Sequence, residues 1–450
     1  ITLWGFISSC SDDNPPLPDN LSTFASAQLG LADDETELDV KIQLTRAATI
    51  DIPLTVSLAT NGVTYGTEFT TEPAITSGSL SLTLTKGSSE VSFKVKKADG
   101  ILLDGDESIT FTIASAGSPV LVGEQNQLVL SFAEILSTGA TMTIAGGGAT
   151  YPNQVFIDLS ANRQVSILRT SWDLGFYMGD DFKVIVNSTT AMMARAIDKN
   201  DLTTVTADDT VGFAKEESIS AFNPDAMAWI DDPAGDLSKT AIASISLTDA
   251  ENKVYIINRG SGIGNPAPSR GWKKVRIIRN GSGYTLQHAD IASATFSEIQ
   301  ITKDDTYLFK HVSFENGAVE VEPAKDKWDI SWSYFTNTTV SGSSTIPYAF
   351  QDLILQNRYE IQTAKVLTSA VTYANFAESD LASLTFSSSQ IGIGADWRRT
   401  SPSPAIVYDD RFYVIKDADK NYFKLKFNSI LTDGVRGTPQ FEYALVKKGS

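Results

Sequence analysis

Few side chains in this sequence are suited to catalysis or to soft-metal binding. Among 450 residues there are two histidines, His288 and His311, a single cysteine, Cys10, and five methionines, Met142, Met178, Met192, Met193 and Met227. A histidine-rich zinc site is excluded by number alone, and neither HExxH nor a paired CxxC occurs. No GxSxG elbow or GxxxxGK[ST] loop is present. The Gly146-Gly147-Gly148 and Gly260–Asn265 stretches lack the strand-then-helix context that cradles phosphate, and they read as loops. The 54 Asp and Glu residues single out no pair for glycoside hydrolysis. Without a suitable histidine, no nucleophile–base constellation can be assembled. These residue types predict a binding protein rather than an enzyme.

Cys10 has another chemistry open to it. Ile1, Leu3, Trp4, Phe6 and Ile7 form an apolar run too short to span a bilayer, and it reads as the tail of a signal h-region. Ile7-Ser8-Ser9-Cys10 resembles a bacterial lipobox, which predicts lipid on Cys10 and contact with the membrane through that N-terminal lipid only. Ser11-Asp12-Asp13 resembles the acidic export tag of surface lipoproteins in the Bacteroidetes, and Pro15, Pro16 and Pro18 continue it as a linker. The net charge of −18 repels nucleic-acid phosphates, so no nucleic acid is expected as a partner. One cysteine allows no internal disulfide.

The elements that must position these residues are strands. Val40-Ile42-Leu44, Leu54-Val56-Leu58, Leu80-Leu82-Leu84, Val91-Phe93-Val95, Ile109-Phe111-Ile113 and Leu128-Leu130-Phe132 alternate with polar residues at short spacing. This predicts a β-sandwich over residues 22–136, after a remnant, lipobox and linker over 1–21. From 137 to 450 aromatics become dense and the strands longer, predicting a larger, mostly antiparallel β domain. The fold class is therefore all-β. Short helices are expected over Ala374–Leu384 and Thr190–Ile197, and a hairpin turn over Asp417–Asn421. Trp172-Asp173 and Trp328-Asp329 each open a strand with bulky alternating positions, which suggests two related hairpins or half-sheets.

The first domain resembles a Calx-beta module in Asp34-Glu35-Thr36-Glu37, in the stretch from Gly62 to Phe69, and in Asp99 leading into Leu103-Asp104-Gly105-Asp106-Glu107. The resemblance implies possible calcium binding by Asp34, Glu35, Asp99, Asp104, Asp106 and Glu107, since Ca²⁺ takes six to eight oxygens. An alternative is a plain Ig-like spacer. SWDLGFYMGDDFKVIVNSTTAMMARAIDKNDL, EPAKDKWDISWSYFTN and the closing RFYVIKDADKNYFKLKFNSI stretch resemble the HmuY family. That likeness implies an outer-membrane, cell-surface lipoprotein that captures haem and passes it to a TonB-dependent transporter.

Characterised members of that family hold haem between two axial histidines or methionines. The stretch matching one ligand position, Gly392 to Arg399, contains neither. Met193, His288, His311, Trp397 and Tyr408 are the candidates to meet a haem or a similar small hydrophobic ligand, His288 being expected at a strand-end surface. Two other readings use the same residues. One is an adhesion or scaffold lipoprotein serving as a partner subunit. The other is a glycan-binding module in which Trp397 and Trp332 stack on sugars.

Overall fold

The computed structural model describes residues 18–32, 35–98, 107–132, 136–432 and 434–449. They fall into two compact units that divide between residues 134 and 135. Cys10, Asp34, Asp99, Asp104 and Asp106 lie outside the described residues.

The first unit is a sandwich of two five-stranded sheets. One runs Phe69–Glu72, Glu90–Lys97, Glu37–Leu44, Asn20–Phe24, Val120–Val122. The other runs Gln28–Gly30, Gln127–Ser131, Ser108–Ala116, Ile52–Asn61, Ser79–Leu84. Period-two alternation sends Val40, Ile42, Phe93 and Val95 inward from one sheet, and Leu54, Val56, Phe111 and Leu130 inward from the other. Phe93 and Phe111 meet edge-on across the gap at 5.1 Å. The chain enters along both sheets, because Asn20–Phe24 and Gln28–Gly30 each join a different one by a parallel pairing.

The second unit contains the same nine-strand arrangement twice. In the first copy, Leu174–Tyr177 pairs with Val184–Val186 on one side and Phe309–Ser313 on the other, and Gly317–Val319 completes a four-stranded sheet. The intervening chain forms a five-stranded meander from Met193–Ile197 to Ser297–Ile301. In the second copy, Ile330–Ser341 pairs with Ser344–Gln356 and with Asn153–Asp158, and Arg163–Leu168 takes the last place. Its five-stranded sheet runs Gln362–Leu367, Arg411–Lys416, Tyr422–Thr432, Val435–Lys447 and then Gly139–Thr143. The strands 139–168 therefore belong to the copy that the C-terminus builds.

Each copy buries its own apolar core between its four- and five-stranded sheets. One core includes Leu174, Phe176, Val275, Tyr284 and Leu286, and the other Ile157, Trp332, Tyr413, Phe423 and Phe441.

The expected helices are absent as such. Thr190 closes a 3₁₀ turn, Ser188–Thr190, and Met193–Ile197 is a strand whose backbone pairs with Val254–Asn258. Over 374–384 only a 3₁₀ segment forms, Glu378–Ser383. Asp417–Asn421 does turn between two strands, with Asp417 Oδ1 accepting the Asn421 N–H at 2.7 Å.

Candidate functional site

The two Trp-Asp pairs are the same device in the two copies. Asp173 N–H donates to Val312 O at 2.8 Å and Asp329 N–H to Ile157 O at 2.8 Å. Their carboxylates accept the N–H of Phe314 at 2.9 Å and of Leu159 at 2.7 Å, two residues further along those partner strands. An asparagine just past each copy's second strand closes the motif. Asn187 Nδ2 donates to Arg169 O and Trp172 O, and Asn357 Nδ2 donates to Lys325 O and Trp328 O, all at 2.8–2.9 Å. Each asparagine Oδ1 then accepts the N–H two residues ahead, from Thr189 and Tyr359.

The copies differ in charge. Asp173 is buried against two arginines: Arg259 grips both its oxygens, at 2.9 and 3.0 Å, and Arg270 Nη2 lies 2.9 Å from Oδ1. Arg259 also reaches Glu315, at 2.6 and 2.7 Å. Burial, with Asp158 nearby, instead pushes the Asp329 carboxyl well above the usual carboxylate range.

Register makes His311 and Phe156 equivalent. Gly175 faces His311 two residues after Asp173, and Ser331 faces Phe156 two residues after Asp329. His311 meets Trp172 edge-on at 4.6 Å and 80°, and Phe156 meets Trp328 edge-on at 5.0 Å and 79°. Burial, with Arg358 adding to it, holds the His311 imidazole neutral by lowering its pKa to about 3.

These four rings border a cavity of about 70 Å³ between the two four-stranded sheets, reached also by Gln154, Glu322 and Arg358. Its lining carries several buried polar atoms with no partner in the protein: Trp172 Nε1, Trp328 Nε1, Arg358 Nη1 and Gln154 Oε1. Arg358 spends its Nε on Gln390 Oε1. Burial raises the Glu322 carboxyl to about 8, while its Oε1 accepts the Phe309 N–H at 2.9 Å. Asp231, raised by burial to about 6, has its oxygens occupied by the N–H groups of Val186 and Ala241. The cavity can bind a small polar species. At about 10–15 Å³ per water it holds about five waters, far less than a porphyrin.

The candidates named from sequence do not converge here. His311 alone lines the cavity. Met193 is fully buried against Ala226 and Ile230. His288 is buried rather than at a surface, because the Gly283–Ala289 strand is covered on both faces and its ring stacks on Phe314 at 5.4 Å. Trp397 and Tyr408 do come together on a small hairpin, where Tyr408 N–H donates to Trp397 O at 3.0 Å and Arg411 covers the Tyr408 ring at 4.2 Å. Trp397 stacks on Phe427 at 4.2 Å and donates its indole N–H to Asp352 O. Trp397 and Trp332 are 1% and 0% exposed, which removes both from any sugar-stacking face.

Both histidines and four of the five methionines are buried, and only Met227 is partly open. These residues do not fit a bis-His or bis-Met haem site at a surface. Glu35 and Glu107 are the two calcium candidates among the described residues, and there no group of three or more His, Cys, Asp or Glu gathers to hold a metal. No helix among them is long and apolar enough to cross a membrane.

Asn187, Asn357 and Arg358 escaped the sequence reading. An asparagine two residues before a Thr or Tyr is too common a pattern to stand out.

Several known proteins are similar to this chain. The model of the family described as HmuY protein matches residues 150–443. No curated protein matches. Among solved structures, the apo-form Calx CBD1 domain is 12% identical, covering 26% of this chain and 97% of its own at a TM-score of 0.23. A two-domain protein of unknown function from Bacteroides fragilis is 11% identical, covering 42% and 77% at 0.20. A putative carbohydrate binding protein from Bacteroides ovatus is 11% identical, covering 75% and 97% at 0.18. Scores this low carry no argument about function.

Proposed function

The chain belongs to the HmuY family, and from that premise we propose that it is a non-enzymatic capture protein of the bacterial cell surface. In this reading Cys10 carries the lipid that anchors it at the outer membrane. The second unit takes up haem or a similarly flat hydrophobic ligand and passes it to a TonB-dependent transporter. The observation that carries the proposal is the family match across most of the second unit. The acidic surface and the absence of a nucleophile–base pair in the sequence agree with it.

The buried histidines and methionines set the expected mode of binding. Tyr408, half-exposed beside Arg411, is the one candidate ligand atom at a surface that the sequence reading named. Haem would then be held by apolar contacts, with at most one axial oxygen, and bind weakly. Losing a strong axial bond costs at least several kcal/mol, by analogy with other metal ligation.

Haemin titration into the full chain, read in the Soret and Q bands, tests this. A broad high-spin spectrum that weakens in Tyr408→Phe is expected. A sharp, stoichiometric low-spin spectrum lost in His288→Ala or His311→Ala would overturn this mode of binding. No spectral change at all would remove haem as the ligand.

A further inference from the structure

We propose that the cavity between the two copies of the nine-strand arrangement is a binding site for one small anion, held by the indole N–H groups of Trp172 and Trp328 and by the Arg358 guanidinium. The argument begins with donors. Trp172 and Trp328 are 4% and 7% exposed, and an indole nitrogen can only donate. A buried donor without an acceptor costs about 1–3 kcal/mol, and three such nitrogens, one on each tryptophan and one on Arg358, belong to residues that line this cavity.

Among the described residues, the one cation in the lining is Arg358, and the carboxyl groups of Asp231, Glu322 and Asp232 lie near enough to act on it. The guanidinium supplies a fixed positive charge, and no aspartate or glutamate lies within ion-pair distance of it among the described ion pairs. Glu322 is held protonated at neutral pH by burial, so it adds an O–H rather than a repelling charge. Asp231, the carboxylate that would compete for Arg358, has both oxygens engaged by backbone N–H groups. Turning the Gln154 amide over presents one more N–H to the same space. Only an acceptor satisfies these groups together, and the volume limits it to a halide or to an anion of a few heavy atoms such as nitrate or formate.

The duplication explains why the site lies where it does. Each copy contributes one tryptophan from the same Trp-Asp-Asn motif, so the two indoles arrive as a matched pair. His311 and Phe156 occupy equivalent walls beside them. The site is inferred independently of the proposed ligand capture.

Bromide is the probe. Crystals of the full chain grown in sodium bromide should show an anomalous peak within hydrogen-bond distance of both indole nitrogens. A cavity containing only ordered water in those crystals would overturn the proposal. In solution, the melting midpoint in sodium bromide minus that in sodium gluconate, an anion too large to enter, is compared between the wild type and the Trp172→Phe/Trp328→Phe variant. The wild type should show the more positive difference by about 2 °C or more. Equal differences would count against the site, and the map from wild-type crystals decides the matter even if the variant does not fold.

Discussion

Replacing His311 by phenylalanine should remove most of one acid-sensitive contribution to stability while leaving the packing intact. The second copy already carries phenylalanine at the equivalent place, edge-on to Trp328 with nearly the same geometry that His311 makes with Trp172. An exchange of that shape should cost less than about 1.5 kcal/mol at pH 7. The ordinary imidazole pKa is 6.5, and burial lowers that of His311 to about 3. Below pH 6.5 the unfolded chain takes up a proton that the folded chain refuses until about pH 3. Stability therefore falls as pH drops through that window, by about 2 kcal/mol at pH 5 from this one residue.

Six of the seven tryptophans lie in the second unit and none among the described residues of the first, so tryptophan fluorescence follows the second unit. Urea unfolding at pH 7 and pH 5 should show a stability loss on acidification that is smaller by about 2 kcal/mol in His311→Phe. The same loss in both proteins would refute the buried, neutral histidine. A variant unfolded at pH 7 would refute the equivalence of the two positions.

Asp173→Asn should take from Arg259 and Arg270 the buried carboxylate they share, leaving Glu315 to Arg259, and destabilise the second unit by about 3–5 kcal/mol, whereas Asp329→Asn, replacing a carboxyl whose charged form burial disfavours, should cost less than about 1.5 kcal/mol; chemical unfolding of the pair measures the contrast, and equal costs would contradict the charge difference between the copies. Glu217 is buried, with its pKa raised by burial to about 9, so stability should fall as pH rises from 4.5 toward 9, and Glu217→Gln should flatten that decline in melting curves taken at pH 5 and pH 8. Cys10→Ala, expressed with its native leader, should lose acyl labelling and partition into detergent; labelling that persists would end the lipoprotein reading.

Strand content was legible because alternation is local. All six alternating triplets of the first unit point into its core, with Leu58 and Val91 only partly covered. The two Trp-Asp openings were legible as related half-sheets for the same reason, since each motif sits within a few residues. Their closing asparagines were not, because the hairpins between them differ in length and Asn187 and Asn357 fall at unequal distances from their aspartates. The cavity was also hidden. Its walls come from strands far apart in sequence, and only the sheet register shows that His311 and Phe156 correspond. His288 misled because a strand near its end usually opens to solvent, whereas Gly283–Ala289 is covered on both sides. Trp397 and Trp332 misled because indoles that serve as core filler carry no local mark distinguishing them from indoles on a surface.

The doubled arrangement also imposes an order in time. The first copy is contiguous, from Leu174 to Val319, and can close as soon as its own residues are available. The second places Gly139 opposite Ala444 and Thr143 opposite Gln440, so Gly139–Thr143 must wait for the last strand of the chain, and Asn153–Asp158 for Ile330–Ser341. Contacts between distant parts of a chain form slowly, because their loop entropy is lost before they stabilise anything. During that interval the 139–168 segment has unpaired sheet edges, which can join the wrong strand or a second molecule. A truncation within Val435–Lys447 would therefore damage both ends of the unit at once, and would leave the Leu174–Val319 copy as the part still able to complete its sheets.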